Sequence, residues 1–512
     1  MVIKKSIILF LLVICFQLFV HANITLPSLV GDHMILQQNT NVQLWGWASP
    51  GEQITINLGW QQKDIETTAD EEGNWKVVIQ TPKTDQTPYN IILKGKNTIN
   101  IQDVLLGEVW LCSGQSNMFF PVGKQEGTWK TGVKNFKEEV ENADYPNIRL
   151  FTVGLNVSQT PLMDVEGYWK VCSPETINNF SAVAYFFGRN LQNDLNVPIG
   201  LISSSWGGTR AEAWTSQEVL EENPDFVPIL NRYAEKEKKY YQGLADYYSE
   251  LQNQENNSIV SSEKSELKKP SKSEMNKDPY VLYNAMLHPL INYTIKGAIW
   301  YQGESNAERA YQYRSLFPAM IKNWRSDWQE GNFPFYFVQI APHHSQNPEI
   351  REAQLMAFNS VKNTGLVVTT DVGNPKNIHP IDKQTVGKRL SLWARAKTYG
   401  EENLVFSGPI YSHMEIKKRS VQVYFDHLGS GLQNKKEELA EFEIAGSDQK
   451  FYPAKAKIKG KTIVVSSQKV KNPIAVRFAW KTSPEPNLFN KEGLPASPFR
   501  TDDWPGETYN KF

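Results

Sequence analysis

The sequence has few cysteines, almost no net charge and few long apolar runs. A total of 3 cysteines in 512 residues excludes a disulfide-dense scaffold, and no cysteine–histidine spacing resembles a zinc site. A formal net charge of -1 provides no broad positive field for nucleic acid or anionic lipid. We therefore expect neither a metal site nor a nucleic-acid partner. The spacing of Cys112 and Cys172 leaves their pairing open, and two buried thiols are the simpler interpretation.

An apolar run lies close to the N-terminus. Lysines precede the stretch from Ile7 to Phe16, and residues 20–22 offer the small side chains that a signal peptidase reads. The run is too short to cross a bilayer, so we predict that residues 1–22 are a cleaved signal peptide. Cys15 would be a lipidation site in a lipoprotein, but Ile14 is too bulky for the position before it. We expect a mature protein that is periplasmic or extracellular and has no membrane partner.

Hydrophobic patterning divides the mature chain, which is too long for a single core. Residues 23–103 and 402–512 contain short stretches of alternating apolar and polar residues between turn residues, a pattern typical of antiparallel β-domains. In residues 104–401 apolar strands alternate with helical stretches, which indicates a mostly parallel sheet covered by helices. A charged, helical insertion interrupts this part at about 235–277. We predict an α/β domain flanked by N- and C-terminal β-sandwich-like domains.

Individual elements follow from the same patterns. The predicted strands are residues 42–47, 54–58, 75–79, 109–112, 297–301, 335–340, 365–370, 421–425, 462–466 and 474–480. The predicted helices are residues 182–195 and 383–396. In a parallel sheet, reactive side chains are expected on the loops that follow the carboxyl ends of the strands.

Ser116 is the first candidate reactive residue. It lies in a turn of small residues directly after the strand 109–112. Such a turn exposes a hydroxyl at a helix N-terminus, where free backbone N–H groups can stabilise an oxyanion. Helix capping is the simpler role for a lone serine in this position, so a nucleophile also requires a base.

His379 is the best placed of the 8 histidines to be that base. It lies in the loop after the strand 365–370, and an imidazole at the carboxyl end of a strand can take a proton from Ser116. His343 and His344 follow another strand and remain alternatives by position alone.

Polar blocks follow two further strands. Gln302 and Asn306 come after the strand 297–301 and offer amide donors. Gly207 and Gly208 allow backbone N–H groups to approach a substrate closely. A tight strand-to-helix turn explains each block by itself, but the recurrence of such blocks favours a catalytic site.

Together these blocks resemble a known family. They comprise residues 114–118 (Gly-Gln-Ser-Asn-Met), 206–209 (Trp-Gly-Gly-Thr), 300–306 (Trp-Tyr-Gln-Gly-Glu-Ser-Asn), 378–387 and the C-terminal 496–504. They resemble the sialate O-acetylesterase family of the SGNH hydrolase superfamily, across essentially the whole mature chain. The resemblance implies an SGNH-type three-layer α/β/α domain and a secreted esterase that removes O-acetyl groups from carbohydrate, above all from sialic acids. It implies no metal and no organic cofactor.

The resemblance also implies roles for individual residues. Ser116 would be the nucleophile and His379 the general base and acid. The implied oxyanion and substrate-binding groups are the Ser116 N–H, Gly208, Gln302, Glu304 and Asn306, with Glu304 orienting the block that carries Gln302.

The sequence differs from the superfamily pattern at the acid of the catalytic triad. The position that usually carries it is occupied here by Lys376. Asp371 and Asp382 are the remaining candidates, although Asp382 is also placed to cap the following helix. We favour a Ser–His dyad, because a backbone carbonyl can orient an imidazole.

Alternative functions remain open at this point. A relative that deacetylates xylan or another plant polysaccharide would carry the same blocks. A secreted carbohydrate-binding protein with an inert α/β core is the second alternative, because a fold can outlast its chemistry. The oligomeric state is left open.

Overall fold

The computed structural model describes residues 23–257 and 267–512. The predicted signal peptide, with Cys15, lies outside the described residues, as do residues 258–266 of the predicted insertion. The fold is mixed α/β, as predicted. Within the described residues, an 11-stranded mixed sheet is accompanied by smaller sheets.

The N-terminal residues form short strands with alternating burial, as the sequence pattern predicts. The strands β2 and β5 pair antiparallel in a sheet of their own. The strands β3, β4 and β6 pair antiparallel and join β7, and β1 pairs parallel with β7. Their bounds are β1 Ile35–Gln37, β2 Thr40–Trp47, β3 Gln53–Leu58, β4 Ile65–Thr68, β5 Asn74–Thr81, β6 Tyr89–Lys94 and β7 Thr98–Gly114.

The strand β7 crosses the boundary predicted between residues 103 and 104. Its first half pairs antiparallel with β6, and its second half is a member of the parallel sheet. Asp103 marks the change, because its φ of 56° breaks the regular strand and shifts the register with β6. The Asp103 carboxylate contacts Arg149 of the parallel sheet and His33 Nδ1, the latter at 2.6 Å. The two predicted units therefore share one continuous strand.

The central sheet has the order β13-β12-β11-β7-β10-β8-β9. Each neighbouring pair in this order is parallel except β8 with β9. The strands added to β7 are β8 Tyr145–Thr152, β9 Trp169–Cys172, β10 Ile199–Ser205, β11 Gly297–Tyr301, β12 Phe335–Val338 and β13 Thr364–Val367. The helices are α1 Ser116–Phe119, α2 Phe136–Glu141, α3 Pro174–Ile177, α4 Ala182–Leu195, α5 Gln217–Glu222, α6 Val227–Asn257, α7 Ala310–Trp328, α8 Pro348–Ser360 and α9 Lys383–Trp393.

Both faces of this sheet are buried, which is why its strands read as continuous apolar runs. Successive side chains of β7 point to opposite faces. Trp110 and Cys112 pack with α4 and α9, whereas Leu111 packs in the core that contains α7 and α8. Cys112 and Cys172 are buried free thiols and do not pair. No described helix combines the length and apolar character needed to cross a bilayer.

The C-terminal part consists of short strands in small antiparallel sheets. The final residues return to the helices of the central part, where the Thr508 N–H donates to the Glu349 carboxylate at 3.1 Å. The bounds are β14 Ile410–Lys417, β15 Ser420–Asp426, β16 Leu432–Asn434, β17 Phe442–Ala445, β18 Phe451–Pro453, β19 Lys455–Lys459, β20 Thr462–Ser466, β21 Ala475–Phe478, β22 Leu488–Asn490 and β23 Phe499–Arg500.

Candidate active site

Ser116 opens α1 immediately after β7. Gly114, with a φ of 142°, allows the chain to turn there, and a Cβ at this position would lie 2.2 Å from the Tyr301 carbonyl oxygen. The Gln115 N–H donates to the same oxygen at 2.9 Å, which ties the turn to the end of β11. The close approach of two strand ends therefore requires glycine and places the Ser116 hydroxyl at the carboxyl edge of the sheet.

His379 reaches this hydroxyl from the loop between β13 and α9. Its Nε2 lies 2.9 Å from Ser116 Oγ. The His379 N–H donates to Asn377 Oδ1 at 2.9 Å, which shapes the loop before the imidazole. The alternative base His343 instead contacts Ser345 Oγ at 2.8 Å through its Nδ1. The structure thus brings together the serine and the histidine that the sequence singled out.

The surroundings of His379 favour its neutral form. Burial, followed by the charges of Lys383 and His343, lowers the pKa of His379 to about 4. Trp129 stacks on the imidazole with ring centroids 4.2 Å apart, although this indole is 42% exposed. Sequence reasoning missed Trp129, because its loop carries no motif. An imidazole that is neutral near pH 7 can accept a proton from Ser116.

Neither candidate acid contacts the imidazole. Asp371 forms a two-point ion pair with Arg389, with oxygen–nitrogen distances of 2.7 and 2.6 Å. Asp382 caps α9 by accepting from the Thr385 N–H at 2.9 Å. In the part of the chain that the structure describes, no hydrogen bond joins His379 Nδ1 to a carboxylate.

The glycine pair lies beside the serine. A Cβ on Gly207 would be 3.4 Å from Ser116 Cβ, and Gly208 has a φ of 74°. The Trp206 N–H donates to Gly114 O at 3.1 Å and anchors this loop to the serine turn. Among the described residues, the Ser116 and Gly208 N–H groups donate to no other protein group. Both remain able to hold an oxyanion.

Gln302 and Asn306 are occupied elsewhere, contrary to the donor role expected of Gln302. The Gln302 amide nitrogen donates to Thr209 O at 3.2 Å and to Asn306 Oδ1 at 2.7 Å, which uses both of its N–H groups. Asn306 Oδ1 also accepts from the Ala211 N–H at 2.9 Å. The two amides are fully buried beneath the Gly208 loop and hold its backbone in place. A contact with an oxyanion would require one of these bonds to break.

Glu304 also differs from its expected role of orienting the Gln302 block. Its Oε1 accepts from Asn117 Nδ2 at 2.7 Å, and Asn117 in turn contacts Lys383. Sequence reasoning gave Asn117 and Lys383 no role, although both lie inside the blocks that carry the family resemblance. Within residues 23–257 and 267–512, no group of His, Cys, Asp or Glu side chains is arranged to hold a metal ion.

The arrangement of Ser116, His379 and the Gly208 loop is typical of one class of enzyme. A neutral imidazole contacts a serine hydroxyl at the carboxyl end of the parallel sheet, and backbone N–H groups without partners among the described residues lie beside it. Hydrolases that transfer acyl groups to water typically have this arrangement. The geometry of the site is therefore that expected of an acyl hydrolase.

Known proteins agree with this class. The sequence profile of the carbohydrate esterase family described as sialic acid-specific acetylesterase matches residues 106–270 and 266–392. The sialate O-acetylesterase of Rattus norvegicus is 32% identical, over 89% of each chain, and that of Homo sapiens is 32% identical, over 94% of each. A carbohydrate acetylesterase from Xanthomonas citri is 33% identical, with a TM-score of 0.80 over 94% of this chain and 100% of its own. The chain belongs to the sialate O-acetylesterase family and is a carboxylic ester hydrolase.

Proposed function

We propose that the protein is an exported esterase that hydrolyses O-acetyl esters of carbohydrates, with O-acetylated sialic acids as its substrates. The observation that carries this proposal is the 2.9 Å contact between His379 Nε2 and Ser116 Oγ. The substrate class is supported by the curated relatives from rat and human, which are named sialate O-acetylesterase and match along almost the whole chain.

The reaction begins with the transfer of the Ser116 hydroxyl proton to His379 Nε2 as Oγ attacks the acetyl carbonyl. The negative charge on the carbonyl oxygen is held by the Ser116 and Gly208 N–H groups. The bond from carbonyl carbon to sugar oxygen then breaks, and His379 returns the proton to the sugar. A water molecule, deprotonated by His379, attacks the acyl-enzyme and releases acetate, and Ser116 regains its proton.

We propose that Ser116 and His379 act as a dyad. This proposal is supported by the partners of Asp371 and Asp382, which are Arg389 and a helix N-terminus rather than the imidazole. The low pKa of His379 fits the same proposal, because an adjacent carboxylate would raise it.

The architecture and the route of export complete the proposal. We propose an SGNH-type three-layer domain at residues 104–401, flanked by β-domains at 23–103 and 402–512. The burial of the central strands on both faces supports the layered domain. Export through the signal peptide at residues 1–22 is inferred from the sequence pattern alone.

One experiment tests the function and the substrate together. Acetate release is measured from O-acetylated sialic acid and from acetylated xylan, with the wild-type protein, Ser116→Ala and Ser113→Ala. Ser113 is a buried neighbour whose hydroxyl has no hydrogen-bond partner among the described residues, so Ser113→Ala controls for the loss of a nearby hydroxyl. We expect activity on the sialic acid that Ser116→Ala abolishes and Ser113→Ala retains.

The other outcomes are equally clear. Full activity of Ser116→Ala would overturn the assignment of Ser116 as the nucleophile. Faster acetate release from acetylated xylan would indicate that the substrate is a plant polysaccharide instead of a sialic acid. Glycan binding by a wild-type protein without turnover would indicate a binding protein instead.

A further inference from the structure

Asn117, the residue after Ser116, joins segments of the chain that are distant in sequence. Its Oδ1 accepts from Lys383 Nζ at 2.6 Å. Its Nδ2 donates to Glu304 Oε1 at 2.7 Å and to the Ile378 carbonyl oxygen at 3.0 Å. Asn117 is fully buried, so each of these bonds replaces a bond to water.

Lys383 and Glu304 form an opposite-charge pair that meets through this amide instead of directly. Lys383 is fully buried and Glu304 is 9% exposed. Within the described residues, Lys383 Nζ donates a hydrogen bond only to Asn117, and Glu304 Oε2 has no hydrogen-bond partner. Burial lowers the pKa of Lys383 to about 7 and raises the pKa of Glu304. The rings of Phe120 and Tyr301 also face Lys383 Nζ, with centroids 5.0 and 5.4 Å away. Asn117 is the polar group to which both Lys383 and Glu304 are hydrogen-bonded.

The pair also fixes the direction of the amide. An ammonium group needs an acceptor and a carboxylate needs a donor, so the Asn117 oxygen must face Lys383 and its nitrogen must face Glu304. In that orientation the second N–H of Nδ2 points at the Ile378 carbonyl. This carbonyl belongs to the peptide bond that leads into His379. The amide therefore spans from the residue after the serine to the residue before the histidine.

The imidazole has few other restraints. Its Nδ1 has no carboxylate partner in the described part of the chain, and the ring is otherwise contacted by the Trp129 stack, by Phe120 at a centroid distance of 6.5 Å and by Ser116 itself. In a triad the acid fixes the orientation of the ring. Here the hydrogen bond from Asn117 instead fixes the Ile378 carbonyl, in the backbone that precedes His379.

We propose that Asn117, oriented by Lys383 and Glu304, is a positioning residue that sets the distance between Ser116 and His379. The proposal rests on the function proposed above and identifies what replaces the triad acid. A displacement of the reacting groups by about 1 Å can cost on the order of 100-fold in rate without weakening substrate binding. The loss of Asn117 should therefore lower kcat much more than it raises KM.

The test uses p-nitrophenyl acetate and the full-length protein. Wild type, Ser116→Ala, Asn117→Ala and Asn323→Ala are compared for kcat, KM and melting temperature. Asn323 is a buried asparagine of α7 that bonds the Ser216 N–H at 2.7 Å and Asp327, so it matches Asn117 in burial and in bonding between segments. We expect Asn117→Ala to lose about 100-fold in kcat with KM within about twofold. Asn323→Ala should lose thermal stability and keep its kcat.

A second pair of variants decides the case if Asn117→Ala does not fold. Lys383→Gln keeps an N–H donor for Asn117 Oδ1, whereas Lys383→Met has none. We expect the glutamine variant to have at least about tenfold more kcat than the methionine variant. Equal kcat for the two, or wild-type kcat in folded Asn117→Ala, would overturn the positioning role. An inactive wild type or an active Ser116→Ala would instead overturn the proposed function, so the two failures are distinct.

Discussion

The indole of Trp129 stacks on the imidazole of His379, with ring centroids 4.2 Å apart and planes 29° apart. Phe120 packs on Trp129 with a centroid distance of 6.0 Å, so the exposed indole is backed by a buried ring. One side of the proposed general base, His379, is thereby covered by an aromatic side chain that is itself open to solvent. This side chain is placed to hold the imidazole and, under the proposed function, to contact the sugar of the substrate.

We expect Trp129→Ala to lower kcat/KM on acetylated sialic acid by about 2- to 13-fold, because the loss of an aromatic contact costs about 0.5–1.5 kcal/mol beyond the area that it buries. Trp129→Phe should keep most of the activity, since it retains a ring over His379. Tyr168→Ala, at an aromatic residue that is 66% exposed, is the control for a general effect of removing a surface ring. Wild-type kinetics for Trp129→Ala would refute a role for the stack.

The pH dependence follows from the burial of His379. Its pKa is lowered to about 4, so the neutral base is already present at mildly acidic pH. We expect the acid limb of the kcat/KM profile to lie clearly below pH 6.5, the ordinary value for histidine. Measurement of kcat/KM between pH 4 and pH 8 on a neutral ester tests this directly. An acid limb at pH 6.5 or above would contradict it.

The position of the acid limb in the kcat/KM profile also depends on the charge of Lys383. At the pH of the acid limb Lys383 is protonated, because its pKa is about 7. A positive charge disfavours the imidazolium and lowers the pKa of His379, so Lys383→Met should raise that pKa and move the acid limb to higher pH. His343→Gln should move it in the same direction by less, because His343 is the weaker of the two charges that bear on His379. A limb that stays in place in Lys383→Met would argue against this electrostatic coupling.

Substitution of Asp371 and Asp382, whose carboxylates do not contact the imidazole, tests whether Ser116 and His379 act as a dyad. In a catalytic triad, replacing the acid by its amide lowers kcat by about 10⁴-fold. We expect Asp371→Asn and Asp382→Asn each to lower kcat by less than about tenfold, because neither side chain contacts His379. Asp371→Asn should lower the melting temperature, since it weakens the ion pair with Arg389. Asp382→Asn should not, because asparagine also caps helices well. A triad-sized loss in either variant would identify the missing acid.

How much of this site could be read from the sequence depends on the kind of interaction. The strand β11 and the helix α4 have the predicted bounds, because continuous apolar runs and helical periodicity are local signals. The meeting of Ser116 and His379 was predictable as well, since the loops after parallel strands gather at one edge of the sheet.

The hydrogen bonds of Gln302 and Asn117 were not predictable in this way. An amide in a motif shows that a donor is present but not which backbone it will meet, and one partner of Gln302, the Thr209 carbonyl oxygen, lies in the loop after another strand. Lys383, at the start of a helix, is expected to be solvated by default, yet it is fully buried. The continuity of β7 across the predicted boundary was also hidden, because the burial pattern changes from alternating to continuous near Asp103 although one strand runs through both halves.

The turn that presents Ser116 provides the last prediction. A Cβ at residue 114 would meet the Tyr301 carbonyl oxygen at 2.2 Å, and the φ of 142° there is strained for any residue with a side chain. We expect Gly114→Ala to push the ends of β7 and β11 apart, to lower the melting temperature and to abolish esterase activity, with strain alone costing about 1–3 kcal/mol. Gly31→Ala is the matched control, because a Cβ at that residue meets no atom within 4 Å and its φ is not positive. Thermal melting and p-nitrophenyl acetate hydrolysis of both variants check the expectation. An active, stable Gly114→Ala would show that the turn tolerates a side chain and that the close contact of the two strand ends is not what places Ser116.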